Sequence, residues 1–577
     1  MMKSYLICAL PVATGLLAAC GSPNAVVTAV QPMGCAAAAA SVAANNPVGG
    51  TTLRITKSEV QAATAAEKAH CLVEGAMNER VSAVDGRPYA IKFRMRMPLP
   101  ADWNGKFFMQ SVGGFVGIVD TGYGRYYGMT STAFSRDYAV IVQDAGHDNA
   151  VNSDPNAGGP SAFARDPQAR IDFGHNSYHV VVQVGKAILN NYYAKAPAHT
   201  YFLSCSDGGR QAVGIAQRYP QDFDGIVAGA PALSIPYMSA YVPLILQTLA
   251  PLAIKAGHLD ENGRPLIGKV YTDADFQLVS NAVMEACDGL DGLKDGIANN
   301  IDACTDAVVV PRLTALTCQG DKTTSCLTGE QIGALRTVMA GPKTSTGIQL
   351  YPGQPWDPGI GGMNGTEFNQ GFRRTWFGSY DAKTNDSVKL TISAPQAVMV
   401  WKTPPTPMTI PQAIDFFMKY NIDDTPASVT RKTDVYQQSV IEWGLMNSPD
   451  LSGFKQRGGK LLAWIGNADG AVSPNETKAW FKAVNEREGG KADDFLKLFV
   501  VPGMAHCSGG MATDRFDMLS ALENWVERGA LESVTAEATK PGFFGVASRT
   551  RPLCPYPKYA HYNGSGDINV ASNFSCK

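Results

Sequence analysis

Residues 199–220 read HTYFLSCSDGGRQAVGIAQRYP. The first seven are apolar and aromatic enough for a buried strand, and the run after the paired glycines repeats apolar residues at helical spacing until Pro220 stops it. Ser206 therefore stands on a strand-to-helix turn. A serine is a poor nucleophile unless its hydroxyl is presented on such a turn and a base takes its proton. Ser204-Cys205-Ser206-Asp207-Gly208 is close to the G-x-S-x-G elbow, with Ser204 in place of the first glycine. Gly208 and Gly209 allow the sharp turn and a close helix. The helix N-terminus offers unpaired N–H groups to an oxyanion.

Working outward, the flanking chain keeps the same rhythm. YAIKFRMRMPLP (89–100), GKFFMQSVGG (105–114) and YAVIVQDAG (138–146) are strand candidates, each closed by Gly, Pro or Asp. NSYHVVVQVGKAILNNYY (176–193) has helical spacing, and FDGIVAGAP (223–231) is one more buried strand. After Leu233 the pattern breaks into a segment with an acidic loop at 287–304 and proline-rich pieces such as WKTPPTPMTIPQ (401–412). GGKLLAWIGNADG (458–470) and FLKLFVVPGMAH (495–506) restore the strands, with helical NETKAWFKAVNERE (475–488) between them. The expectation is an α/β core with a mostly parallel sheet, residues 21–233 and 450–577, interrupted by an insertion at 234–449. Residues 21–50, rich in Ala, Gly, Pro and Asn, read as a spacer.

Two further residues complete a catalytic set. Asp469 lies just past the strand KLLAWIGN, and His506 lies in the Gly-rich loop after FLKLFVV. The order Ser…Asp…His is the one found in α/β-hydrolases. Each of Ser206 and His506 has a cysteine beside it, Cys205 and Cys507. Were serine and histidine in hydrogen-bond reach, those cysteines would be placed for a disulfide tying the elbow to the histidine loop.

Composition bounds the alternatives. With 577 residues, 45% hydrophobic and 17% charged, the chain has the make-up of a globular protein of about two domains. A formal net charge of -2 without basic runs argues against nucleic acid as a partner. MMKSYLICALPVATGLLAACGS (1–22) reads as an export signal over residues 1–20. Its Leu17-Ala18-Ala19-Cys20 end resembles a lipobox that would lipidate Cys20; a simple cleaved signal is the other reading. Nothing else looks transmembrane. Ten of the twelve cysteines remain once Cys8 and Cys20 are set aside, an even set that suits an exported disulfide protein. Counting does not fix their connectivity, and no C-x-x-C pair points to structural zinc.

The Cys-Ser…Asp…His-Cys arrangement resembles the tannase and feruloyl esterase family of serine hydrolases. AGHDNAVN (145–152), DGIVAGAP (224–231), VPGMAHCSGG (501–510), TDRFDML (513–519) and RTRPLCPYP (549–557) add to the likeness, which covers nearly all of the mature chain. The resemblance implies an α/β-hydrolase core with a lid insertion and a triad of Ser206, Asp469 and His506. It implies backbone oxyanion donors at Gly114 and Asp207, and a Cys205–Cys507 bridge. It further implies the pairs Cys35–Cys71, Cys287–Cys304, Cys318–Cys326 and Cys554–Cys576. A monomer exported to the cell exterior, periplasm or outer membrane is the expectation.

CDGLDGLKDGIANNIDAC (287–304) brings Asp288, Asp291 and Asp295 together on a glycine-rich loop, a set of hard oxygen donors suited to calcium, although the spacing is not that of an EF-hand. A solvated acidic turn is the other reading. The resemblance implies a structural calcium there, with the carbonyls of Leu293 and Ile297 as further ligands. It also implies a substrate of the aromatic-ester class. In one member of the family a lid arginine holds a substrate carboxylate, and alignment through NQGFRRTWFGS (369–379) puts Lys389 at that position. Lysine keeps the charge and loses the two-pronged geometry; an exposed surface lysine is the alternative. Thr375 and Ser393 stand where that member carries aromatic residues, so Trp376 or Phe377 is expected to take part in a looser pocket. The candidates are a phthalate-type monoester, a hydroxycinnamate or gallate ester, and, from another class, a calcium-stabilised binding protein with an inactive core.

Overall fold

The computed structural model describes residues 31–65, 67–125, 129, 131–361, 371–531, 533–538 and 549–577. The export signal and Cys20 lie outside the described residues. Nine strands make one mixed sheet: β1 (Leu53–Gln61), β2 (His70–Val81), β3 (Pro88–Pro98), β4 (Lys106–Gln110), β5 (Ala139–Gln143), β6 (His199–Cys205), β7 (Gly225–Gly229), β8 (Lys460–Gly466) and β9 (Leu496–Val501). Their spatial order is β1-β2-β3-β5-β4-β6-β7-β8-β9. The first three and β5 pair antiparallel, and β5, β4, β6, β7, β8 and β9 run parallel. The parallel strands are buried along almost their whole length, as helices on both faces require. This is an α/β-hydrolase arrangement.

Two features depart from the sequence reading. The sequence pattern suggests strands only from Tyr89 onward, yet β1 and β2 precede it; β1 is a half-exposed edge strand (LRITKSEVQ) whose polar residues hide the strand pattern. Part of the expected spacer is a helix, Cys35–Ala44, whose alanine run favours helix and which buries Cys35, Ala38, Ala39 and Val42.

The chain leaves the sheet at the end of β7 and returns at β8. The intervening segment supplies most of a second apolar cluster that includes Tyr241, Leu249, Phe276, Leu335, Trp376 and Trp443. Residues of the first half, Tyr89, Val116, Phe163 and Phe173, join it, so lid and core share a packed seam. Ile235–Lys255 is long and apolar enough to cross a membrane, at mean hydropathy 1.4; half of it is buried in this cluster, as suits a core helix.

Candidate active site

Ser206, Asp469 and His506 lie beyond the carboxyl ends of β6, β8 and β9, where α/β sheets present their ligand sites. Ser206 has φ 65° and ψ -125°, a region avoided by side-chain-bearing residues, which marks a strained elbow. Close packing makes the glycines after it obligatory. A Cβ on Gly209 would stand 2.1 Å from the Gly229 carbonyl oxygen, and one on Gly208 1.8 Å from Ser204 Oγ.

His506 Nε2 is 2.8 Å from Ser206 Oγ, and its Nδ1 is 2.8 Å from Asp469 Oδ2. Asp469 is buried, and its other oxygen accepts the N–H groups of Ala471 (2.8 Å) and Val472 (3.0 Å). With two N–H donors on Oδ1, Asp469 serves as an acceptor, so His506 donates to it from Nδ1 and leaves Nε2 to accept the serine proton. Cys205 and Cys507 are bonded, with Cα atoms 6.2 Å apart. The other bridges join Cys35 to Cys71, Cys287 to Cys304, Cys318 to Cys326 and Cys554 to Cys576.

Asp207 opens the helix Asp207–Arg218, so its N–H has no partner within that helix. Its side chain turns inward to the fully buried Arg210, with Oδ1 2.7 Å from Nε. Burial pushes the Asp207 carboxyl upward, and the guanidinium opposes that. Gly114, with φ 68°, has open space where a Cβ would be. Gly113, which the sequence did not single out, packs closer: its Cβ would stand 3.1 Å from Ser206 Cβ. The only signal for it was its place in the same SVGG turn.

The residues nominated for the substrate are differently placed. Lys389 is 3% exposed, so the surface reading falls. Its Nζ donates to the Ala471 carbonyl at 3.1 Å and lies 5.4 Å from the centre of the Trp376 ring. Burial brings its ammonium down to about 8, opposed by the Asp469 charge. Trp376 and Phe377 are buried rather than open; Trp376 meets Tyr241 edge-on at 4.0 Å and its indole N–H donates to the Gly470 carbonyl.

In the acidic loop, Asp288 Oδ1 accepts from Asp295 and Gly296, and Asp291 accepts from Leu293 and Asn299. Asp295 pairs with Arg551. Burial raises the Asp288 and Asp291 carboxyls, and the Asp295 charge adds to this. Among the described residues no three Asp, Glu, His or Cys side chains converge into a metal cluster.

Residues 71–577 match the family model for tannase and feruloyl esterase. The chain is 44% identical over 525 residues to mono(2-hydroxyethyl) terephthalate hydrolase of Piscinibacter sakaiensis, covering 89% of this chain and 86% of that protein. A probable feruloyl esterase of Arthroderma benhamiae is 30% identical, with 83% and 81% covered. Among solved structures, feruloyl esterase B of Aspergillus oryzae superposes with a TM-score of 0.67 at 23% identity, covering 94% of this chain and 99% of that one.

Proposed function

The chain belongs to the tannase and feruloyl esterase family and is a carboxylic ester hydrolase; from that premise we propose that it hydrolyses monoesters of aromatic dicarboxylic acids of the mono(2-hydroxyethyl) terephthalate type, with Ser206, His506 and Asp469 as its triad. The observation that carries the catalytic part is the continuous chain of 2.8 Å contacts from Ser206 Oγ through His506 to Asp469. The 44% identity to the terephthalate monoester hydrolase supports the substrate class.

In this reading Ser206 Oγ attacks the ester carbonyl carbon while His506 Nε2 takes the hydroxyl proton. Asp469 holds the imidazole in the required tautomer and stabilises the imidazolium. The negative oxygen of the tetrahedral intermediate is met by backbone N–H groups of the elbow, at Asp207, and of the Gly113–Gly114 turn. Losing one such donor typically costs about 3 kcal/mol of barrier stabilisation. The imidazolium returns its proton to the departing alcohol oxygen as the ester C–O bond breaks. Water, deprotonated by the same histidine, then releases the aromatic acid from Ser206.

Five disulfides support an extracytoplasmic location; a signal over residues 1–20 and a lipid anchor at Cys20 belong to the proposal. So does a structural calcium held by Asp288, Asp291 and Asp295 with the carbonyls of Leu293 and Ile297. Its support is that Asp288, Asp291 and Asp295 stand on one glycine-rich loop, hard oxygen donors of the kind calcium takes. Added calcium is expected to raise the melting temperature of chelator-treated protein and leave kcat of the folded enzyme unchanged. An unmoved melting temperature removes the ion.

Hydroxycinnamate or gallate esters are the second substrate reading, favoured by the engagement of Lys389 with Ala471 and by the feruloyl esterase relative. Hydrolysis of mono(2-hydroxyethyl) terephthalate, methyl ferulate and methyl gallate, with Ser206→Ala as the blank, decides between them. Fluorophosphonate labelling of Ser206 separates both from an inactive binding protein, which would stay unlabelled.

A further inference from the structure

Three lid side chains converge on one short stretch of the core, and that stretch carries Asp469. Asp357 is 2% exposed, and its Oδ2 accepts from Asn467 Nδ2 (2.9 Å) and from the Gly503 N–H (3.1 Å). Its Oδ1 accepts from the Gly359 N–H at 2.8 Å. One carboxylate thus joins the acid loop, two residues before Asp469, to the histidine loop, three residues before His506. The turn behind it is wedged in place: a Cβ on Gly359 would stand 2.8 Å from Ala468 Cβ and 3.3 Å from the Gly503 oxygen. On the other side of Asp469, Trp376 donates to the Gly470 carbonyl and Lys389 to the Ala471 carbonyl. The Ala471 N–H is itself a donor to Asp469. Lys389 and Trp376 also brace each other through the ammonium over the indole face.

We propose that Asp357, Trp376 and Lys389 form a lid-borne clamp on residues 467–471, and that they are positioning residues for the Asp469–His506 pair. The proposal rests on the triad reading above. It reassigns Lys389 and Trp376 from the substrate to the scaffold. Asn467 and Gly470 are buried and Ala471 is half-buried, and the Asn467 Nδ2 donor and the Gly470 and Ala471 carbonyls each find a partner on the lid. The lid then does more than cover substrate, because the acid half of the triad is built against it. A carboxylate displaced by a fraction of an ångström holds the imidazole less well, and misplacement on the scale of 1 Å can cost about a hundredfold in rate.

The test uses the full-length enzyme and two neutral substrates, p-nitrophenyl acetate and methyl benzoate, beside a terephthalate monoester bearing a free carboxylate. Asp357→Asn and Lys389→Met are expected to lower kcat about tenfold or more on all three, with KM changed less than about twofold on the neutral pair. Lys389→Arg, which restores a donor to Ala471, is expected to recover most of the loss. Trp376→Phe keeps the ring and removes only the N–H; folded, as judged by its melting curve, it is expected to lose kcat severalfold. A loss confined to the carboxylate-bearing ester and expressed in KM would return Lys389 to the substrate and overturn the clamp. Wild-type kcat in folded Trp376→Phe and Asp357→Asn would overturn it as well. Activity retained by Ser206→Ala would strike the triad reading itself, a failure separable from that of the clamp.

Discussion

Ser204 stands where a nucleophile elbow usually has glycine, and its hydroxyl reaches across to the neighbouring strand end. Ser204 Oγ donates to the Ser111 carbonyl at 2.7 Å, and Ser111 Oγ is 2.7 Å from the Tyr178 hydroxyl. Ser111 lies two residues before Gly113, which packs on Ser206, so the added hydroxyl ties the elbow to the Gly113–Gly114 turn. The same hydroxyl excludes any side chain at Gly208, where a Cβ would meet Ser204 Oγ at 1.8 Å and Ser204 Cβ at 2.7 Å. Gly208→Ala alone is therefore expected to destabilise the protein strongly. Adding Ser204→Gly removes both collisions and leaves the next neighbour, Ser111 Cβ, at an ordinary 3.5 Å. The double variant should be more stable than Gly208→Ala, with a coupling of about 1–3 kcal/mol. Additive melting-temperature changes in the two single variants and the double would refute the steric account.

At the scale of elements, the Cys205–Cys507 bridge joins the end of β6 to the loop after β9 across 302 residues. Closing so long a loop removes much freedom from the unfolded chain, and losing a native disulfide typically costs about 2–5 kcal/mol. The double variant Cys205→Ala/Cys507→Ala is expected to lose stability in that range and to lose kcat, because serine and histidine loops are no longer pinned to each other. Urea unfolding and single-turnover kinetics check both, and unchanged values in each would make the bridge incidental. The position of this device was legible because chemistry and topology coincide: β4 to β9 are buried parallel strands, written as plain apolar runs, and Ser206, Asp469 and His506 each follow one of them. What stayed hidden depends on tertiary contacts. The edge strand β1 is half solvated, and the Cys35–Ala44 helix owes its place to packing and to its bond with Cys71. Asp357 sits in WDPG, which reads only as a turn, and its bonds to Asn467 and Gly503 span more than a hundred residues. Lys389 carried a charge that the sequence could only assign to ligand or solvent.

For the whole molecule, the seam between lid and core has a titrating element of its own. Glu476, on the core helix Pro474–Arg487, is buried, and its Oε2 accepts the hydroxyl of Tyr351 from the lid at 2.8 Å. That tyrosine oxygen in turn accepts the Ser473 N–H at 3.1 Å. Burial raises the Glu476 carboxyl from 4.5 to about 7. Between those values the folded protein holds a proton there that the unfolded chain has released, so rising pH favours unfolding. The stabilisation is complete below pH 4.5 and is lost as pH climbs through about 7. Above that the penalty is constant at roughly 3 kcal/mol, for a carboxyl raised from 4.5 to about 7. Glutamine at this position stays neutral and still offers Tyr351 a carbonyl acceptor. Glu476→Gln is thus expected to match the parent protein near pH 4.5 and to exceed it in stability at pH 8, as read from denaturant midpoints at the two pH values. The same difference at both would show that charge at this seam is immaterial. A gain at pH 8 alone would show that the charge on Glu476, buried at the lid–core seam, costs the folded protein stability above neutrality, although its carboxylate keeps the Tyr351 hydroxyl as a donor.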